Sequence, residues 1–253
     1  MLFFKRILKD GELAEASGPA AEQRSTPRYV ISPQFRLKAA LNFASRVDSR
    51  STKGHSRSAW HWKCRLLDCS EQGVRIQMDP AFKVRARDLC DLQLRVEEFE
   101  LTIPCRIANI RENAEGVIFG LKLDADDEST WKAYCQLLEV VALGSSLKLH
   151  RRTARPDESG YLLEHYTNNR PARLSVWRDP ATQAVKACEF LLKHYLVRAA
   201  AGRPVEYLTS PSGRPASPTT AMEIQRLFSW VVPNLPDTMP EDVRNFLKQH
   251  AGS

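Results

Sequence analysis

The chain has 253 residues, enough for one large domain or two modest ones, so a sizeable core is available without a metal or disulfide scaffold. Hydrophobic residues make up 43% and charged residues 26%, a balance that excludes wholesale disorder. The 37 Lys and Arg outnumber the 30 Asp and Glu by +7, which favours anionic partners without choosing among nucleotides, nucleic acid and anionic lipid.

The opening run Met-Leu-Phe-Phe-Lys-Arg-Ile-Leu-Lys carries charges inside its apolar residues and has no small-residue cleavage site. This excludes a signal peptide or membrane span there and predicts a short amphipathic helix. The mixture of Gly, Ala, Glu, Ser and Pro that follows reads as a tether, so residues 1–22 are expected to form an N-terminal helix and linker.

Residues 23–143 read as one β-rich domain. Apolar residues occupy every second position in Phe35, Leu37, Ala39, Leu41 and Phe43, the period of a half-buried strand. The alternation returns from Trp60 to Leu66, Val74 to Met78, Leu92 to Val96, Leu101 to Ile107 and Val117 to Leu123. Six such strands with short turns suggest an antiparallel barrel or sandwich, and the Asn and Gly of Glu112-Asn-Ala-Glu-Gly116 pair the last two as a hairpin. The Ser- and Arg-rich stretch at 45–58 interrupts the pattern as a polar, basic insertion. After the last strand, Asp124-Ala-Asp-Asp-Glu-Ser supplies acidic residues suited to a helix N-terminus, and Trp131, Tyr134, Leu138 and Val141 follow at helical spacing.

Residues 144–160 read as a linker. Residues 161–253 then form a small α+β domain. Arg173–Arg178 and Val185–Val197 flank a turn at Asp179–Gln183, a third strand is expected at Pro204–Thr209, and helices at about 220–232 and 240–249. The six cysteines include no CxxC pair and several sit in apolar stretches, which suits reduced core thiols of a cytoplasmic protein.

Two short strings stand out. Arg24-Ser-Thr-Pro-Arg28 lies just before the first strand, and Asp68-Cys-Ser-Glu-Gln-Gly73 joins the second strand to the third. Together they resemble the RxxxR and (D/N)xSxxG signatures of PilZ domains. Each half alone is a common string, but here each lies where that family places it. The resemblance spans about residues 23 to 141. It implies a small antiparallel six- to seven-stranded β-barrel with a closing C-terminal helix, binding cyclic di-GMP, and the basic insertion is the departure from the pattern.

The residue chemistry agrees. A cyclic dinucleotide presents two phosphates and guanine edges, and the guanidinium forks of Arg24 and Arg28 match both, while Lys would supply charge without the fork. By the same resemblance Asp68 accepts from a guanine N–H, Ser70 donates to an oxygen of the ligand, and Gly73 allows close backbone approach or a positive φ. Gln23 is a further candidate contact. The competing reading makes Asp68 a turn carboxylate and Arg28 a surface ion pair.

Strings such as HExxH, GxSxG and GxxxxGK(S/T) are missing, and the six histidines are scattered, so neither an enzyme nor a metal cofactor is expected. The expected role is a cyclic di-GMP-binding effector that changes conformation and signals to a protein partner, with no nucleic-acid partner and no membrane insertion. The alternative is a ligand-independent adaptor with a degenerate PilZ barrel.

Overall fold

The computed structural model describes residues 26–43, 60–78, 84–113, 116–124 and 126–252. The N-terminal helix and linker expected over 1–22 and the basic insertion at 45–58 lie outside the described residues. The chain divides into two compact units, one ending at Leu138 and the other beginning at Glu139.

The first unit contains β1 (Tyr29–Val30), β2 (Lys38–Phe43), β3 (Trp60–Ser70), β4 (Gly73–Met78), β5 (Leu89–Val96), β6 (Phe99–Asn113) and β7 (Gly116–Leu123). Their order is β1-β3-β2-β5-β6-β7-β4, and β4 returns to pair with β3, so six strands close into an antiparallel barrel with β1 as an extra strand on β3. The barrel strands are the six that the apolar alternation predicts. Their inward positions, among them Val74, Ile76, Leu92, Leu94, Ile103 and Phe119, are buried and fill the core. Closure leaves none of these six with an unpaired edge. Two residues long, β1 is too short to show any period.

Then comes α1 (Glu128–Ser145), and its start is capped as its sequence suggests. Asp127 accepts hydrogen bonds from the Ser129 hydroxyl at 2.6 Å and the Thr130 amide at 2.7 Å, and these bonds lower its carboxyl to about 2. The unit boundary falls inside this helix.

The second unit is a seven-stranded antiparallel meander of β8 (Lys148–Arg152), β9 (Leu162–Thr167), β10 (Ala172–Arg178), β11 (Val185–Leu192), β12 (Tyr195–Ala200), β13 (Glu206–Thr209) and β14 (Arg214–Pro215). The helices α2 (Pro218–Val231) and α3 (Glu241–Ala251) follow. Ser217 accepts from the Thr220 amide and Pro218 occupies the first turn, so α2 starts where its sequence can satisfy it.

Two expectations need correction. The stretch 144–160 carries the end of α1 and the strand β8, rather than being linker throughout; all five residues of β8 are exposed, so no apolar alternation betrays it. The expected single strand Val185–Val197 is two, β11 and β12, because Lys193 turns the chain with φ 56° in a run that lacks Gly, Pro or Asn.

The second unit buries a carboxylate. Glu164 on β9 is 0% exposed and takes Arg152 Nε at 2.7 Å, Tyr166 Oη at 2.8 Å and Arg178 Nε at 3.0 Å. Arg178, itself buried, also donates to the Gln183 carbonyl and grips Asp242 in the first turn of α3, which fixes that helix to the sheet. Burial alone would raise the Glu164 carboxyl, but the bonds from Arg152, Tyr166 and Arg178 outweigh it and the net shift is downward. Asp242 is lowered by its hydrogen bond from Arg178.

Replacing Arg178 with Met should therefore cost about 3 kcal/mol in chemical denaturation, because it leaves a buried carboxylate short of a partner. Both carboxyls have folded values below their unfolded ones. Their stabilisation is complete above about pH 4.5 and is lost as pH falls through the lowered folded values. Thermal midpoints should fall on acidification through this range, and less steeply in R178M.

Candidate functional site

Arg28, at the end of the first string singled out in the sequence, meets the second string on the barrel wall. Glu71 and Gln72 form the turn between β3 and β4, which sets Ser70 opposite Gly73, Cys69 opposite Val74 and Asp68 opposite Arg75. On the other side of β3, β1 pairs Tyr29 with Cys69 and Val30 with Asp68. The Ile31 amide continues that pairing with a 3.0 Å bond to the Leu67 carbonyl. Arg28, one residue before β1, is thus delivered beside Asp68, and its guanidinium bonds the Asp68 Oδ1 at 2.6 Å.

Arg75 takes the other carboxylate oxygen, its Nε and a terminal nitrogen both directed at Asp68 Oδ2. The carboxylate side chain is 2% exposed, while the side chains of Arg28 and Arg75 are 32% and 47% exposed. A buried anion therefore holds two guanidinium groups whose remaining N–H donors face solvent, which is an arrangement suited to gripping an external anion or a guanine edge.

Directly paired residues share a face of the sheet, so one row runs outward-facing across Val30, Asp68, Arg75, Gly120 and Asn109. A Cβ at Gly120 would lie 2.6 Å from the Asn109 side-chain oxygen, so the absence of a side chain there lets the Asn109 amide lie over Gly120, the residue paired with Arg75. Val30 is 66% exposed in the same row. An apolar surface, two guanidiniums and an amide thus stand together.

Ser70 is buried, its hydroxyl donates to the Gly73 carbonyl at 3.0 Å, and its own carbonyl accepts from the Tyr134 hydroxyl on α1 at 2.7 Å. Gly73 does not adopt a positive φ. Its need for hydrogen is steric: a Cβ would sit 2.3 Å from the Leu121 carbonyl oxygen on β7. Burial, first, raises the Tyr134 phenol well above its usual range, which keeps it a neutral donor.

Of the expected contacts, Arg28, Asp68, Ser70 and Gly73 are brought together, whereas Arg24 and Gln23 lie outside the described residues. The guanine-accepting oxygens expected of Asp68 are both engaged by arginines, and the Ser70 hydroxyl is engaged by Gly73. Sequence reading missed Arg75 and Asn109. Arg75 was within reach, since a two-residue turn after Ser70 dictates that Asp68 opposes it. Asn109 was not, because a bulge between Ile107 and Asn109 shifts the register of β6.

Gly73→Ala should destabilise the protein by roughly 1–3 kcal/mol with no ligand present, because the added methyl must displace the β7 backbone. Chemical denaturation of the ligand-free variant measures it; unchanged stability would show that the glycine serves something other than strand packing.

Residues 22–137 match the family model for the PilZ domain. Among solved structures, the PilZ domain with c-di-GMP of YcgR from Escherichia coli is similar at 8% sequence identity and a TM-score of 0.34, over 46% of this chain and 89% of that one. No curated protein matches the sequence. The stretch similar to the PilZ domain, residues 22–137, thus contains the closed six-stranded barrel with its one added strand.

Proposed function

We propose that the barrel binds cyclic di-GMP on its outer wall and that the protein is a signalling receptor rather than an enzyme, working in the cytoplasm. The observation that carries this reading is the Asp68 carboxylate, buried and shared between two partly exposed arginines. Closing the barrel does not itself call for a charged carboxylate-arginine cluster on its outer wall, whereas a ligand with two phosphates and two guanine edges uses the free donors of such a cluster directly. The PilZ domain match over residues 22–137 supports the same ligand class.

In this mechanism Arg28 and Arg75 are the contacts, Asp68 is the anchor that aims them, and Ser70 and Gly73 shape the turn beneath. Arg24 and Gln23 are the further contacts in this reading, carried over from the sequence motif. Pro27 disfavours helix at Thr26, so the sequence does not stack the two arginines of the Arg24–Arg28 segment on one helical face. Ligand-driven ordering of that segment would present a changed surface to a protein partner. The Tyr134 bond to the Ser70 carbonyl ties the start of α1 to the same turn.

Calorimetric titration of the full chain with cyclic di-GMP tests the reading, with cyclic di-AMP and GTP as competitors. Arg28→Ala and Arg75→Ala should each weaken binding by about tenfold or more while leaving the circular dichroism spectrum unchanged. Full-strength binding by both variants would overturn the assignment.

A further inference from the structure

We infer that one face of the second unit's sheet, formed by β8, β9 and β10, is a docking surface for an acidic polypeptide segment. Strand pairing fixes which side chains share that face. One row runs Lys148, Thr167, Arg173, and the next runs Arg151, His165, Ser175. Neighbouring strands lie about 4.8 Å apart and alternate residues of one strand about 6.8 Å apart, so the cations are spread over a patch little more than one strand long.

The patch is not internally neutralised. Arg152, on the opposite face of β8, is paired with Glu164, and Arg198 further along the sheet is paired with Glu189. Lys148, Arg151 and Arg173 are exposed and have no acidic partner among the described residues. His165 reports the resulting field. Its imidazole donates to or accepts from Ser175 at 3.0 Å, and its pKa is lowered first by burial and then by Arg173, Arg151 and His150, with no acidic group counted against them. A structural role would be served by cations matched across strands, as Arg198 is; unmatched cations in adjacent rows are complementary to a partner's carboxylates.

The first row continues past Arg173 to Leu191 on β11 and Leu196 on β12, so apolar surface adjoins the charge. No Phe, Tyr or Trp interrupts the two cationic rows, and Trp177, on the same face, gives its side-chain donor to Asp157. Single-stranded nucleic acid is held by cations interleaved with stacking aromatics, and here Trp177 stands one row beyond the cations rather than between them. Carboxylates alternating with aliphatic residues fit it better.

The probe is a fluorescein-labelled peptide of alternating Glu and Leu, titrated with the full chain and read by anisotropy, beside a labelled single-stranded oligonucleotide. The double variant Arg151→Glu/Arg173→Glu should weaken peptide binding by about tenfold or more. The charge-matched control Arg203→Glu/Arg214→Glu, at exposed positions outside the patch, should change it by less than about twofold. No binding by the unmodified chain, equal losses in the two variants, or an oligonucleotide that binds more tightly than the peptide and is lost in the same variant would each overturn the inference. Because the patch and its probe do not involve the barrel, failure here leaves cyclic di-GMP binding untouched, and the reverse holds.

Discussion

A carboxylate buried on a barrel wall is costly unless its charge is met, and Asp68 is met twice. Isolated in the interior it would cost several kcal/mol, so its position is tenable only while Arg28 and Arg75 hold its two oxygens. The requirement works in both directions. The carboxylate draws the start of β1 onto β3, where only two residues pair through the ladder, and it fixes the direction in which both guanidiniums project. The two arginines come from different segments, 28 and 75, yet one anion sets their spacing.

Comparison with the second unit separates a binding arrangement from a structural one. Glu164 is also a buried carboxylate between two arginines, but Arg178 is buried with it and spends its donors on Asp242 and the Gln183 carbonyl. There Arg178 closes its side of the network within the unit and fixes α3 to the sheet, while Arg152 stays half-exposed at the edge strand. At Asp68 the guanidiniums are saturated on one side only and keep donors in water. The difference is that both arginines on Asp68 are partly exposed, against one of the two on Glu164.

Much of this was legible in the sequence for physical reasons. The six barrel strands each have one buried face, so alternation marks them, and the capping carboxylate of Asp127 stands where an exposed helix start requires it. β1 was hidden because two residues carry no period, and β8 because a fully exposed edge strand has no buried side. The turn at Lys193 was hidden because the residue accepts a left-handed conformation without the usual Gly or Asn. At the site, the residue types were readable but their division of labour was not. Asp68 and Ser70 look like ligand contacts in sequence; burial and their intramolecular bonds make them the frame on which Arg28 and Arg75 are mounted.

The most direct test of that frame is the residue a ligand would touch least. Asp68→Asn keeps the shape but removes the charge that aims both arginines, and calorimetry of this variant with cyclic di-GMP isolates its role. A folded barrel whose affinity falls about tenfold or more is the result this account predicts. A folded barrel that binds with unchanged affinity would contradict it, because the arginines would then need no buried anion to find the ligand.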